Sequence, residues 1–246
     1  MTLKVSNLVG GYSQIPVLKN VSFEVHTGQV VGLIGLNGAG KSTTINHVIG
    51  LLTPQSGKIT IDGITLQENP ESYKSKIAYI PEIPVLYQEL TLKEHIDLTI
   101  MAYNLEREKA WVRAQRLLKT FRLANKLEWF PANFSKGMKQ KVMIVCAFLT
   151  EAKLYVIDEP FLGLDPLATR DLLNLIESER QRGAAVLMST HVLSTAQEYC
   201  NYFVLLHQGK VRIQGTFAEL REAYQNQQAD LTEIYLGLTQ EVTEHE

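Results

Sequence analysis

The sequence predicts an α/β fold, with a mainly parallel sheet flanked by helices, an antiparallel β subdomain near its start and an α-helical subdomain inserted in its middle. Three observations lead there. Short apolar runs at Val30–Ile34, Lys153–Ile157, Ala184–Ser189 and Tyr202–Leu206 alternate with helical stretches, the pattern of parallel strands joined by crossover helices. Residues 1–34 alternate in the manner of short strands, with turn signals at Gly10-Gly11 and Thr27-Gly28. Between Thr91 and Leu123, apolar residues recur at helical spacing (Ile96, Ile100, Tyr103, then Val112, Leu117, Leu118, Phe121) with no strand signal.

In chain order, Leu3–Val5 and Val21–Val25 read as antiparallel strands leading to the first core strand, Val30–Ile34. A helix follows, with apolar positions at Ile45, Val48, Ile49 and Leu52. Lys58 to Gly63 suggests a hairpin, and Ile77–Ile80 a strand ended by Pro81. Two helices occupy Thr91 to about Leu105 and Glu108 to about Leu123, and a strongly apolar helix follows residue 135. After the strand at Lys153 comes a helix over Ala168–Arg182, then a hairpin from Leu205 to Ile213 around Gln208-Gly209, and a helical tail from Thr216. The expected organisation is one domain over 1–246: an α/β core with its β subdomain from 1–85 and 150–215, a helical subdomain at 86–149, and a C-terminal tail at 216–246.

With 246 residues, 45% of them hydrophobic, the chain can bury a substantial core. A net charge of −2 provides no overall basic field, so nucleic acid is not an expected partner. The two cysteines, Cys146 and Cys200, have no companions at metal-ligand spacing and read as buried, reduced thiols. The N-terminus lacks the features of a secretory leader, and the apolar run Val142–Leu149 is far shorter than the roughly 18 to 20 residues that cross a bilayer. A cytosolic chain that does not itself span a membrane is expected.

The chemistry starts at Gly35, Leu36, Asn37, Gly38, Ala39, Gly40, Lys41, Ser42 and Thr43, a glycine-rich loop between an apolar strand and a helix. Glycines let the backbone curl with its amides pointing inward at an anion, and the helix start adds a positive dipole end. Lys41 would reach the β- and γ-phosphates of a nucleotide, and the Ser42 hydroxyl would ligate Mg²⁺. The strand from Lys153 ends in Asp158-Glu159, which an open α/β sheet places at its carboxyl edge, beside that loop. There Asp158 would hold Mg²⁺ through a water and Glu159 could polarise an attacking water. In the segment 133–141, Ser135 suits a helix N-cap and Gly137 permits close approach to the first turn. Taken alone it reads as an ordinary cap with a solvated lysine face, as His191 alone reads as a structural histidine.

The loop Gly35 to Thr43, the SKGMKQK segment at 135–141, Asp158-Glu159-Pro160, Gly163-Leu164-Asp165-Pro166 and Ser189-Thr190-His191 stand in the order seen in ATP-binding-cassette (ABC) ATPases. The chain resembles the ATP-binding subunit of an ABC transporter over its whole length. Its YIPEIPVLYQELTLKEHI segment, with SKGMKQK, is most similar to the ATPase of Ecs-type bacterial transporters. The resemblance implies a P-loop NTPase (RecA-like) core, ATP and Mg²⁺ as cofactors, and a dimer with a second copy or a homologous ATPase subunit. In that dimer the signature residues Ser135, Lys136, Gly137, Met138 and Lys139 act on the ATP held by the other chain. The family usually writes the signature LSGGQ, from which this sequence departs at Phe134, Lys136 and Met138.

By the same resemblance, Asp165 corresponds to the aspartate that communicates between the two sites, His191 to the switch histidine at the γ-phosphate, and Tyr12 to the aromatic that stacks on adenine, with Val17 beside it. Glu82 falls where the family carries a glutamine that touches Mg²⁺; here it would be an oxygen ligand bringing an extra negative charge. A separate transmembrane subunit is implied as partner, which would hold this chain on the cytoplasmic face of the membrane. The alternative is an ABC ATPase acting on ribosomes or DNA; the sequence shows neither a second cassette nor a long coiled-coil insertion.

Overall fold

The computed structural model describes residues 1–243. Strands β1 (Leu3–Gly10) and β2 (Leu18–Val25) alternate buried and exposed positions, so that Leu3, Val5 and Leu8 pack with Val21, Phe23 and Val25 on one face. They form an antiparallel sheet with β4 (Ser56–Ile61) in the order β2-β1-β4. The hairpin expected at Lys58 to Gly63 is not what forms. β4 pairs with β1, Ile61 opposite Leu3, and beyond the left-handed turn at Asp62-Gly63 only a single bridge, Ile61 to Ile64, runs back. The returning chain departs at once into α2 (Pro70–Lys74), whose start is fixed by the Asn69 side chain accepting from the Ser72 N–H and by Pro70 in the first turn.

The main sheet has six strands in the order β5-β6-β7-β3-β8-β9. β3 (Val30–Ile34), β5 (Ile77–Ile80), β6 (Leu154–Asp158), β7 (Ala185–Thr190) and β8 (Tyr202–His207) are parallel, and β9 (Lys210–Gly215) returns antiparallel. β3, β6 and β7 are apolar without alternation because both sheet faces are covered. Successive side chains separate by face: Tyr155 and Ile157 join the helical side, whereas Leu154 and Val156 join the antiparallel sheet and α1 (Lys41–Val48). The helical pattern reaching Leu52 overestimates α1, since Gly50 takes φ 79° and the amides of Leu51 and Leu52 turn back onto the Asn46 carbonyl.

The inserted region holds α3 (Leu92–Ala102), started by a capping box between Thr91 and Glu94, and α4 (Arg107–Thr120). α5 (Lys136–Leu149) then packs on both and on β5, burying Val142, Ile144, Val145, Phe148 and Leu149. Phe148 stacks on Tyr155 of β6 at 4.6 Å between ring centres, which fixes this helix to the main sheet. α6 (Pro166–Gln181) and α7 (Leu193–Tyr199) complete the crossovers. The tail is two helices, α8 (Phe217–Ala223) and α9 (Leu231–Thr243), interrupted at Gln225 in a left-handed conformation. Residues 244–246 of the expected tail lie outside the described residues. Cys200 is buried, whereas Cys146 is only half-buried; desolvation pushes their thiols up to about 12 and about 11. Among the described residues no helix is long and apolar enough to cross a membrane.

Candidate functional site

The carboxyl ends of three adjacent strands, β6, β7 and β3, deliver side chains to one edge of the sheet. β3 runs into the glycine-rich loop, where Gly38 and Gly40 take φ values of 82° and 109° that L side chains rarely adopt. α1 begins after Gly40 with no side-chain cap, which leaves its first amides available to an anion. Lys41 folds back under the loop: its Nζ donates to the carbonyl oxygens of Gly35 at 2.7 Å and Leu36 at 3.4 Å and lies 3.8 Å from Glu159 Oε1. Burial lowers the Lys41 pKa, and the negative charges of Glu159, Asp158 and Glu82 act in the opposite direction.

β6 ends at Asp158, a buried carboxylate that accepts a hydrogen bond from Ser189 Oγ on β7. Glu159 follows with φ 47°, a left-handed conformation costly for a residue with a side chain. Its N–H reaches Ser189 O at 3.3 Å and Ser189 Oγ at 3.2 Å, so β7 holds the turn that aims its carboxylate at Lys41. Glu159 Oε1 also lies 2.8 Å from His191 Nδ1 at the end of β7. A carboxylate only accepts, so that imidazole nitrogen carries the proton and donates.

These groups line one open cleft. Its wall includes Val17, Asn37, Gly38, Gly40, Lys41, Ser42, Thr43, Glu82, Glu159, Leu162 and His191. Asp158 sits beneath it, buried against Ser189. Tyr12 is not among the wall residues; its ring is 66% exposed and its hydroxyl accepts from Asn46 Nδ2 on α1 at 2.9 Å. Ser42, Asp158 and Glu82 offer oxygen donors of the kind Mg²⁺ prefers. Among the described residues no cluster of three or more His, Cys, Asp or Glu side chains forms a metal cage.

The signature segment lies elsewhere. None of Ser135, Lys136, Gly137, Met138 and Lys139 lines the cleft. Ser135 caps α5 by accepting from the Met138 N–H at 3.3 Å. Gly137 meets the loop after Glu159 so closely that a Cβ there would stand 2.5 Å from Gly163 O. Asp165 caps α6, Oδ1 accepting from the Ala168 N–H at 2.8 Å, and its Oδ2 pairs with Lys141 Nζ at 2.6 Å, which together hold its carboxyl below the usual range.

Four further residues take part without a local sequence signal for their contacts. Ser189 holds the Asp158 carboxylate and the Glu159 backbone N–H, and Leu162 adds an apolar wall to the cleft. Buried Gln140 donates to the Pro81 carbonyl at 3.3 Å, tying the signature helix to the residue before Glu82. Asn46 holds Tyr12. Each contact joins residues at least 30 positions apart, except for Leu162, so no local pattern announces it.

The arrangement defines a class: a P-loop α/β fold in which the glycine-rich loop, Glu159 and His191 share one cleft. The sequence matches the family described as ABC transporter over residues 18–162. It is 58% identical over 244 residues, covering 99% of each chain, to the ABC-type transporter ATP-binding protein EcsA of Bacillus subtilis (strain 168). Among solved structures, an ATP binding subunit of an ABC transporter superposes with a TM-score of 0.95 at 54% identity, covering 97% of this chain and 100% of its own. A dimeric ATP-binding cassette in a post-hydrolysis state with ADP and Pi superposes with a TM-score of 0.78 at 26% identity, covering 87% and 98%. The chain belongs to the ABC transporter family, as an ATP-binding subunit with ATPase activity.

Proposed function

We propose that the cleft holds ATP as its Mg²⁺ complex and that two chains close face to face around two such molecules, driving a separate transmembrane partner. The observation that carries this reading is the division of the site: loop, carboxylates and histidine share one cleft, while the segment 135–139 lies outside it, with Gly137 pressed on the Gly163 carbonyl. A second chain would supply that segment across the open side of the cleft.

In this reading Lys41 exchanges the Gly35 and Leu36 carbonyls for phosphate oxygens, and the amides of the α1 start donate to the same group. Glu159 orients the attacking water and takes its proton as the water oxygen bonds to the γ-phosphorus and the bond from that phosphorus to the β,γ-bridging oxygen breaks, leaving ADP and phosphate. His191 Nδ1–H steadies the Glu159 carboxylate and keeps it aimed into the cleft. Ser42, Asp158 and Glu82 would hold Mg²⁺, which neutralises charge on the phosphates. Tyr12 and Val17 would flank the adenine, and Asp165, bonded to Lys141 of the signature helix, would report the state of one site to the other.

The surface for a transmembrane partner falls on the segment after Glu82. Ile83, Val85 and Tyr87 are each more than 60% exposed there, beside α3 of the helical region. Through Gln140, movement of this segment is passed to the signature helix. A tagged copy expressed in its native host is expected in the membrane fraction with a copurifying membrane protein; recovery on ribosomes or free in the lysate at low salt would contradict the reading.

Glu82 makes a separate expectation. Its charge favours Mg²⁺ but repels a bare triphosphate, so Glu82→Gln should hold Mg-ATP within about tenfold of the parent and bind ATP without Mg²⁺ more tightly. Calorimetric titration with and without Mg²⁺ reads both; equal metal-free affinities would place Glu82 outside the phosphate's field.

A further inference from the structure

We propose that Tyr235, on the C-terminal helix α9, is a positioning residue for ATP binding whose hydroxyl fixes the entry of the phosphate loop. Tyr235 is buried, 2% exposed, and its hydroxyl oxygen accepts the Leu36 N–H at 3.0 Å while its proton is donated to the Leu206 carbonyl at 3.2 Å. Burial raises its pKa, so the hydroxyl keeps the proton that this double role needs.

The peptide it grips is the one between Gly35 and Leu36. That plane has two hydrogen-bonding ends: the N–H goes to Tyr235, and the Gly35 carbonyl takes the Lys41 ammonium at 2.7 Å. When Lys41 turns to a phosphate, the second hold is released and Tyr235 remains as the fixed one. The Leu36 carbonyl accepts the Ala39 N–H at 3.1 Å, so the orientation of this first peptide is passed to the turn that aims the later amides. The site is tightly built around the latch: a Cβ on Gly35 would stand 2.6 Å from Leu206 O and 2.7 Å from Ala39 Cβ.

α9 has a second anchor that keeps the latch in place. The Leu231 N–H donates to Gln197 Oε1 at 2.9 Å, on α7, the helix that begins just after His191. The tail thus braces the phosphate loop and the helix behind the histidine together. The bond is part-buried, its acceptor being a side chain only 2% exposed, and deleting that hydroxyl takes from the Leu36 N–H a partner that water replaces only incompletely.

The inference rests on reading Gly35–Thr43 as the phosphate loop, and the test separates the two. Tyr235→Phe keeps the ring packing and deletes the hydroxyl; Mg-ATP affinity and KM are expected to weaken about 5- to 20-fold, with kcat at saturating ATP within about twofold of the parent. Tyr103→Phe is the control, since its hydroxyl, at the end of α3, donates to Ile77 O at the start of β5, the opposite end of that strand from Glu82; it should lower thermal stability and leave KM unchanged. A Tyr235→Phe protein that loses stability like the control with unchanged KM would overturn the inference, while a Lys41→Ala protein with normal ATP affinity would overturn the reading of the loop itself. Should Tyr235→Phe fail to fold, hydrogen exchange in the unaltered protein decides: a protected Leu36 amide supports the latch, and rapid exchange there overturns it.

Discussion

Glu159→Gln is expected to bind Mg-ATP about as well as the parent while hydrolysing it about 10²- to 10⁴-fold more slowly, the usual cost of removing a general base. Glutamine has nearly the shape of glutamate, and its amide oxygen can accept the His191 Nδ1–H that Glu159 Oε1 takes at 2.8 Å. What is lost is basicity, together with the negative charge 3.8 Å from Lys41. With hydrolysis stopped and one like charge removed from beside the phosphates, the two chains should stay closed around ATP. Size-exclusion chromatography with Mg-ATP should therefore show a dimer that the parent forms only transiently, and turnover at the parent's rate would remove Glu159 from the role of base.

Lys41→Ala acts on the other half of the chemistry. The ammonium is the cation nearest Glu159, and Asp158 and Glu82 also act on it electrostatically. Without it, a triphosphate would enter beside three carboxylates with no compensating side chain beneath the loop. A hydrogen bond to a charged group contributes about 1.5 to 3 kcal/mol, so ATP affinity should fall by roughly 10- to 150-fold. Thermal unfolding distinguishes this from simple damage. The nucleotide-free variant should melt close to the parent, since it loses a buried ammonium that was itself costly to desolvate, but added Mg-ATP should no longer raise its melting temperature.

The two effects lie on different steps because the sequence places the groups on different strands. The loop follows β3, and the carboxylate pair ends β6, with β7 between them. Apolar runs of five or six residues without alternation announce such buried strands, and this is why β3, β6 and β7 were legible along with the α/β class. Helix starts were legible where a cap sits beside a periodic run, as at Ser135 before α5.

What escaped detection depends on partners distant in the chain. Lys58 to Ile61 looks like half of a local hairpin because its alternation is genuine, yet its partner is β1, more than 50 residues earlier. α2 and α7, with five and seven residues, are too short to show a period. Ser189 and Tyr235 bear on the site through contacts spanning 30 and 199 positions; Ser189 stands in the Ser189-Thr190-His191 segment, but its hold on Asp158 and Glu159 has no local signal, and nothing near Tyr235 signals its contact. Asp165 is a mixed case. Its place before Pro166 marks a helix N-cap as plainly as it marks a site residue, and the structure gives it the cap together with the Lys141 pair.

If the segment at 135–139 completes the site of another chain, a charge placed on it should break the dimer. Aspartate caps a helix as well as serine does, so Ser135→Asp should preserve the start of α5 while pointing a negative charge at the phosphate bound by the facing chain. Introduced into Glu159→Gln protein, it is expected to leave each chain with bound Mg-ATP and to abolish the trapped dimer in sedimentation velocity. A dimer as stable as that of Glu159→Gln alone would contradict the account, because the signature segment would then have no nucleotide in front of it.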